Sequence, residues 1–108
     1  MILGRMEDMV GGWFVGDFEP SMFRSKDFEV CYKEHKKGEQ WDSHYHTGTE
    51  INYLIRGRMT INGRELNKGD LFLIEPYEVA SPVFLEDCEL IVVKTPSNVN
   101  DKFIVGEE

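Results

Sequence analysis

Residues 38–57 read GEQWDSHYHTGTEINYLIRG. His44 and His46 are two apart, and on a strand residues i and i+2 share a face. Both imidazoles therefore converge if that face is an interior. Thr47-Gly48-Thr49 is a turn, and Glu50 opens the next strand beside them. Two histidines and a carboxylate on one face form a facial triad, a donor set for Fe(II) and also for Mn, Ni, Co or Zn. Continuing the parity of Glu50 points Asn52, Leu54 and Arg56 inward. Asn52 is then placed to donate to a substrate oxygen. Arg56 either binds a carboxylate or phosphate or ends the strand as a solvated charge. Tyr45 and Tyr53 fall on the opposite face.

Outward from this stretch the texture is uniform: short β-rich runs cut by Gly, Pro, Asn and Asp. Trp13-Phe14-Val15 is an early strand. Phe28, Val30 and Tyr32 alternate with Glu29, Cys31 and Lys33, the period of a half-buried strand. Ile51 to Ile55 is apolar but for Asn52. Met59-Thr60-Ile61 and Arg64 to Asn67 flank Asn62-Gly63, a strong hairpin signal. Leu71 to Ile74 reads as a buried strand stopping at Pro76, followed by Val79 to Leu85 and Glu89 to Thr95. Phe103 to Val105 reads as a last edge strand. Residues 20 to 27 have room for one helical turn, and nothing carries helical periodicity over a longer span. Many short strands with frequent turns describe an all-β sandwich or barrel.

The 108 residues fit one domain, with 41% hydrophobic and 30% charged residues, so a packed core is expected rather than disorder. A net charge of −8 disfavours nucleic acid and anionic membrane as partners. No apolar run approaches a membrane span, and Met1 to Val10 lacks the apolar stretch of a secretory signal. Cytoplasmic residence is the expectation. The two cysteines, Cys31 and Cys88, read as reduced, buried thiols. Trp13, Phe14, Phe18, Phe28 and Trp41 read as core or interface residues.

The spacing from Gly38 through His44, His46 and Glu50 to Gly57 resembles the first motif of the cupin superfamily without a gap. Gly69-Asp70, Leu71 to Ile74 and Pro76 are similar to the second motif, and the likeness covers roughly residues 28 to 95. The resemblance implies a jelly-roll barrel, the double-stranded β-helix, with a divalent metal held by His44, His46 and Glu50. The second motif also departs from the pattern. Glu78 stands where it has Gly, and Ser81 falls at the usual fourth-ligand position. A hydroxyl is a poor ligand, so two outcomes are open: three protein donors with more open positions, or weaker affinity and an empty site. Glu78 reads as a turn carboxylate, and His35 as an exposed strand-end histidine. Gly12 to Pro20, Val93 to Ser97 and Asp101 to Phe103 look like a group of small stand-alone cupins. That likeness implies one domain over 1–108: an arm at 1–26, a barrel core at 27–95 and a tail at 96–108. It also implies a homodimer, which the Trp13-to-Phe18 arm would join.

Three functions fit these residues. One is a metal-dependent enzyme acting on a small oxygen-rich molecule, a carbohydrate or organic acid. The second is a ligand-binding cupin without turnover. The third is a metal-independent sugar isomerase or epimerase in which His44 or His46 acts as general base, recognised by a histidine paired to a carboxylate.

Overall fold

Alternation builds the longest strands. Cys88–Thr95 (β10) buries Cys88, Leu90, Val92 and Lys94 and turns the residues between them outward. Thr49–Arg56 (β5) buries Asn52 and Leu54 in the same way. This is the pattern of strands with one face on an interior. β10 pairs antiparallel with β5 on one side and with Glu29–His35 (β3) on the other. The computed structural model describes residues 1–106. Around these three strands it places a six-stranded sheet in the order Phe23–Arg24 (β2), Trp13–Gly16 (β1), β3, β10, β5 and Leu71–Ile74 (β8). Arg64–Asn67 (β7), Arg58–Ile61 (β6) and Pro82–Phe84 (β9) form a second sheet, and Phe103–Ile104 (β11) pairs with His44–Tyr45 (β4). Residues of all three sheets line one cavity, so the sheets face each other across it. The fold is all-β, with a single 3₁₀ turn at Met6–Asp8 and no α-helix among the described residues. No helix among them is long and apolar enough to cross a membrane.

The core is Cys31, Leu54, Met59, Phe84, Cys88, Leu90 and Val92, with Trp13, Leu66 and Phe72 packed against it. Burying a side chain such as Leu54 contributes about 1.5–3 kcal/mol. Cys31 and Cys88 are free and buried as expected, and burial pushes the Cys31 thiol up to about 12.

Several elements differ from the sequence reading. Residues 20–27 hold β2, parallel to β1, in place of a helical turn. The arm is therefore part of the sheet, and Trp13 and Phe18 face the chain's own cavity. β8 is half-buried: as the edge strand it turns Ile74 inward and leaves Leu71 and Leu73 exposed. β3 buries Glu29, Cys31 and His35, while the apolar Phe28 is exposed and Val30 and Tyr32 are only half-buried. On the inner face Glu29 meets the buried Lys94, which reverses the usual preference at that position.

Two turns show what glycine does in this chain. Asn62 and Gly63 have φ of 52° and 79°, the two left-handed residues of a type I′ hairpin between β6 and β7. Gly57 has φ of 95°, and a Cβ there would lie 2.3 Å from the Asp87 carbonyl oxygen. A Cβ at Gly63 meets nothing within 4 Å. Gly63→Ala is thus expected to cost about 1 kcal/mol of left-handed strain, and Gly57→Ala about 3 kcal/mol because backbone must also move. Urea unfolding midpoints check the order, and equal losses would contradict the close approach at Gly57.

Candidate functional site

A row of charges crosses the inner face of the large sheet. Register sets Lys94 directly opposite Glu29 on one flank and Glu50 on the other. Residues directly opposite in an antiparallel pair share a face. Lys94 Nζ lies 3.4 Å from Glu29 Oε1, and both side chains are almost fully buried. The Ser97 hydroxyl donates to Glu29 Oε2 at 3.0 Å and accepts the Asp17 amide at 2.8 Å. In the next row Asn52 donates from Nδ2 to Glu50 Oε2 at 3.1 Å.

His44 and His46 are buried, with ring centroids 5.2 Å apart and planes nearly perpendicular. His44 Nδ1 lies 2.9 Å from the Asp42 carbonyl. A carbonyl only accepts, so Nδ1 carries a hydrogen. His46 Nδ1 lies 4.0 Å from Glu50 Oε1. It is the one fully buried side-chain nitrogen or oxygen without a hydrogen-bond partner among the described residues. Burial, with the charges of Lys94 and His44, lowers the His46 pKa to about 4, so the ring is neutral at pH 7, the form that binds metal.

The turn that carries the chain from His46 to Glu50 is clamped from far away. Asp101, 2% exposed, accepts the Thr47 amide at 2.8 Å, the Thr47 hydroxyl at 2.5 Å and the Gly48 amide at 3.0 Å. Burial opposes its charge, but these hydrogen bonds outweigh that and hold the carboxyl below its ordinary value.

His44, His46, Glu50 and Asn52 thus meet at one cavity of about 500 Å³. As they stand, no three His, Cys, Asp or Glu side chains among the described residues come close enough to enclose an ion. Two expected site residues lie elsewhere. The Ser81 hydroxyl shares a hydrogen bond with Ser43 Oγ at 2.5 Å, and its amide donates to Asn62 Oδ1 at 2.9 Å. Ala80 is the residue bridged to His44, and its methyl lines the cavity. The wall across from His44 is therefore a methyl. The Arg56 side chain is 62% exposed and lies 3.9 Å from Glu89. A register shift against β10 between the Arg56 and Leu54 pairs breaks the parity that would have turned it inward.

Other residues sort as follows. Glu78 accepts the Glu75 amide at 3.0 Å, the turn role expected of it. His35 is buried rather than exposed: it stacks on Phe84 at 4.1 Å and its Nδ1 lies 2.5 Å from Glu39 Oε2. Trp41 also lines the cavity, with Trp13 and Phe18. Tyr45 stacks on Phe103 and Tyr53 is exposed, both away from the cavity. Sequence reasoning passed over Glu29, Lys94, Asp101 and Lys102. The signal for Lys94 was present, since it continues the inward parity of Leu90 and Val92.

Acid should unfold the metal-free protein through His46. Below pH 6.5 the unfolded chain protonates this ring, while the folded chain resists until about pH 4. The unfolded state then binds more protons, so stability falls as pH drops across that window, by about 3 kcal/mol at its end. Denaturant melts from pH 7 to pH 4 should show this slope in wild type and a shallower one in His46→Gln; identical slopes would remove His46 as the cause.

No protein-family model matches the chain, and no curated protein does. Solved structures do match. An RmlC-like cupin from Shewanella frigidimarina aligns with a TM-score of 0.65 at 22% identity, over 69% of this chain and 71% of that one. A conserved protein with a double-stranded β-helix domain from Klebsiella pneumoniae aligns at 0.67 and 23%, over 74% and 71%. Bacillus subtilis oxalate decarboxylase, which has Mn(II) centres, aligns at 0.64 and 25%, over 75% of this chain but only 25% of its own. Sheet order, the cavity between the sheets and these likenesses agree: the chain has the fold of the cupin superfamily, a small double-stranded β-helix.

Proposed function

We propose that this cupin binds a small molecule at a divalent metal held by His44, His46 and Glu50. The observation that carries the reading is the buried, unpartnered Nδ1 of His46 facing the Glu50 carboxylate. An orphaned buried nitrogen costs about 1–3 kcal/mol, which a cation between the two groups would offset. The donor kinds fit Fe, Mn, Ni, Co or Zn, and the Mn(II) of oxalate decarboxylase, on the same fold, supports a metal of this class. Lys94 counts against a cation, but Glu29 neutralises it at 3.4 Å and leaves Glu50 available. Asn52 holds the Glu50 carboxylate through Oε2. With the Ala80 methyl across from His44, a metal held by these three residues would have no donor from that residue. A metal there supplies a Lewis acid or a more acidic bound water.

One observation favours a second reading, a metal-independent isomerase or epimerase. Its expected mark is a histidine base, His44 or His46, paired to a carboxylate; neither has such a hydrogen bond, and His35 with Glu39 forms the pair instead, at the cavity wall. Metal analysis of untagged protein separates the two. Stoichiometric metal, lost in His44→Ala and Glu50→Ala and retained in His35→Ala, is the expected result. No metal after reconstitution with Fe, Mn, Ni and Zn overturns the first reading.

The homodimer belongs to the same proposal. Because the Trp13-to-Phe18 segment is folded into its own chain, the outer face of the large sheet, with exposed Ile51, Tyr53, Leu71 and Leu73, is the surface that supports it. Light scattering at micromolar concentration is expected to give a dimer, and a monomer would overturn this part.

A further inference from the structure

Lys102 lines the cavity with its Nζ 3.9 Å from the centroid of the Trp41 ring. Asp42 and Glu50 act on it at a distance, but no carboxylate comes within 4.0 Å and no acceptor hydrogen-bonds it among the described residues. The cavity's other lysines are occupied: Lys94 by Glu29, and Lys33 by the Gly11 carbonyl. Trp41 is itself fixed, its Nε1 donating to Glu39 Oε2 at 2.6 Å, and its ring leans on His44 at 6.3 Å. A pinned indole thus links this cation to the proposed metal donors.

The walls around that line are apolar. Trp13, Phe18, Trp41, Phe72, Phe84 and Val92 all face the cavity. A polyol lying against these walls would leave the hydroxyls on that side without partners. A molecule with a flat or aliphatic body and one anionic end matches both the walls and the cation. We infer that the cavity takes an amphipathic monocarboxylate, its carboxylate on Lys102 and its apolar body against Trp41 and Phe84. This narrows the oxygen-rich class to acids and removes sugars. It deepens the metal reading and rests on it for what lies beyond the ligand's body.

Calorimetry with three probes tests it: phenylacetate, its neutral analogue phenylacetamide, and gluconate, a carboxylate with a polyol body. Phenylacetate is expected to bind tightest. Lys102→Met should weaken it roughly tenfold, a charged hydrogen bond's worth, and leave phenylacetamide unchanged. Lys102→Arg should retain most of the affinity, and Lys36→Met, at an exposed lysine outside the cavity, should retain all of it. Phenylacetate binding by metal-free protein that Lys102→Met weakens supports the inference even if no metal ever loads. Equal affinity for acid and amide, unchanged affinity in Lys102→Met, gluconate binding as tightly as phenylacetate, or no phenylacetate binding at millimolar concentration each overturns it.

Discussion

The buried pair of Lys94 and Glu29 constrains everything around it. An ammonium in the middle of a sheet must have a carboxylate at hand, because an unpaired buried charge costs several kcal/mol (about 3–5 when one partner is removed). Glu29 meets that need only if β3 turns its Glu29, Cys31 and His35 face inward, with Glu29 opposite Lys94. A slip of one residue would set Phe28 or Val30 against the ammonium and flip every side chain of the strand. The pair therefore fixes the register of β3 on β10, and with it places His35 in the cavity wall. It also accounts for the inverted look of β3, whose Glu29 and His35 are more buried than its Val30 and Tyr32.

The same row prepares the site. Glu50 is Lys94's neighbour on the other flank, and the Lys94 charge helps keep His46 neutral. The turn between His46 and Glu50 then needs its own fixture, which Asp101 supplies by accepting two backbone amides and a hydroxyl. Three elements distant in sequence, β3, β10 and the segment before β11, thus set the geometry of a motif that occupies only residues 44 to 50.

This explains what could be read from the chain and what could not. The parity of His44 with His46, the return to Glu50 and the hairpin at Asn62-Gly63 are local, so spacing and turn chemistry disclose them. Asp101 acts on Thr47 across 54 positions, and nothing near either residue announces the pairing. Arg56 escapes parity because the register against β10 shifts just after Leu54. The loop after Pro76 sets Ala80 rather than Ser81 opposite His44, and a one-residue difference there exchanges a hydroxyl for a methyl. β3 misleads for a different reason: an apolar alternation marks the buried face only when the interior is apolar, and here it faces charges.

Charge counting then limits what the cavity can hold. Lys94 needs one carboxylate and has Glu29. Glu50 has the Asn52 amide on one oxygen and faces the unpartnered nitrogen of His46 with the other. The site therefore has one anionic donor to give a cation, not two. If Glu29 were lost, Lys94 would take Glu50 as its partner, since the two already stand opposite each other on the same face. The proposed donor set would then shrink to two imidazoles beside an ammonium, a poorer site for a divalent ion. Glu29 touches no proposed ligand, yet it keeps Glu50 free to be one.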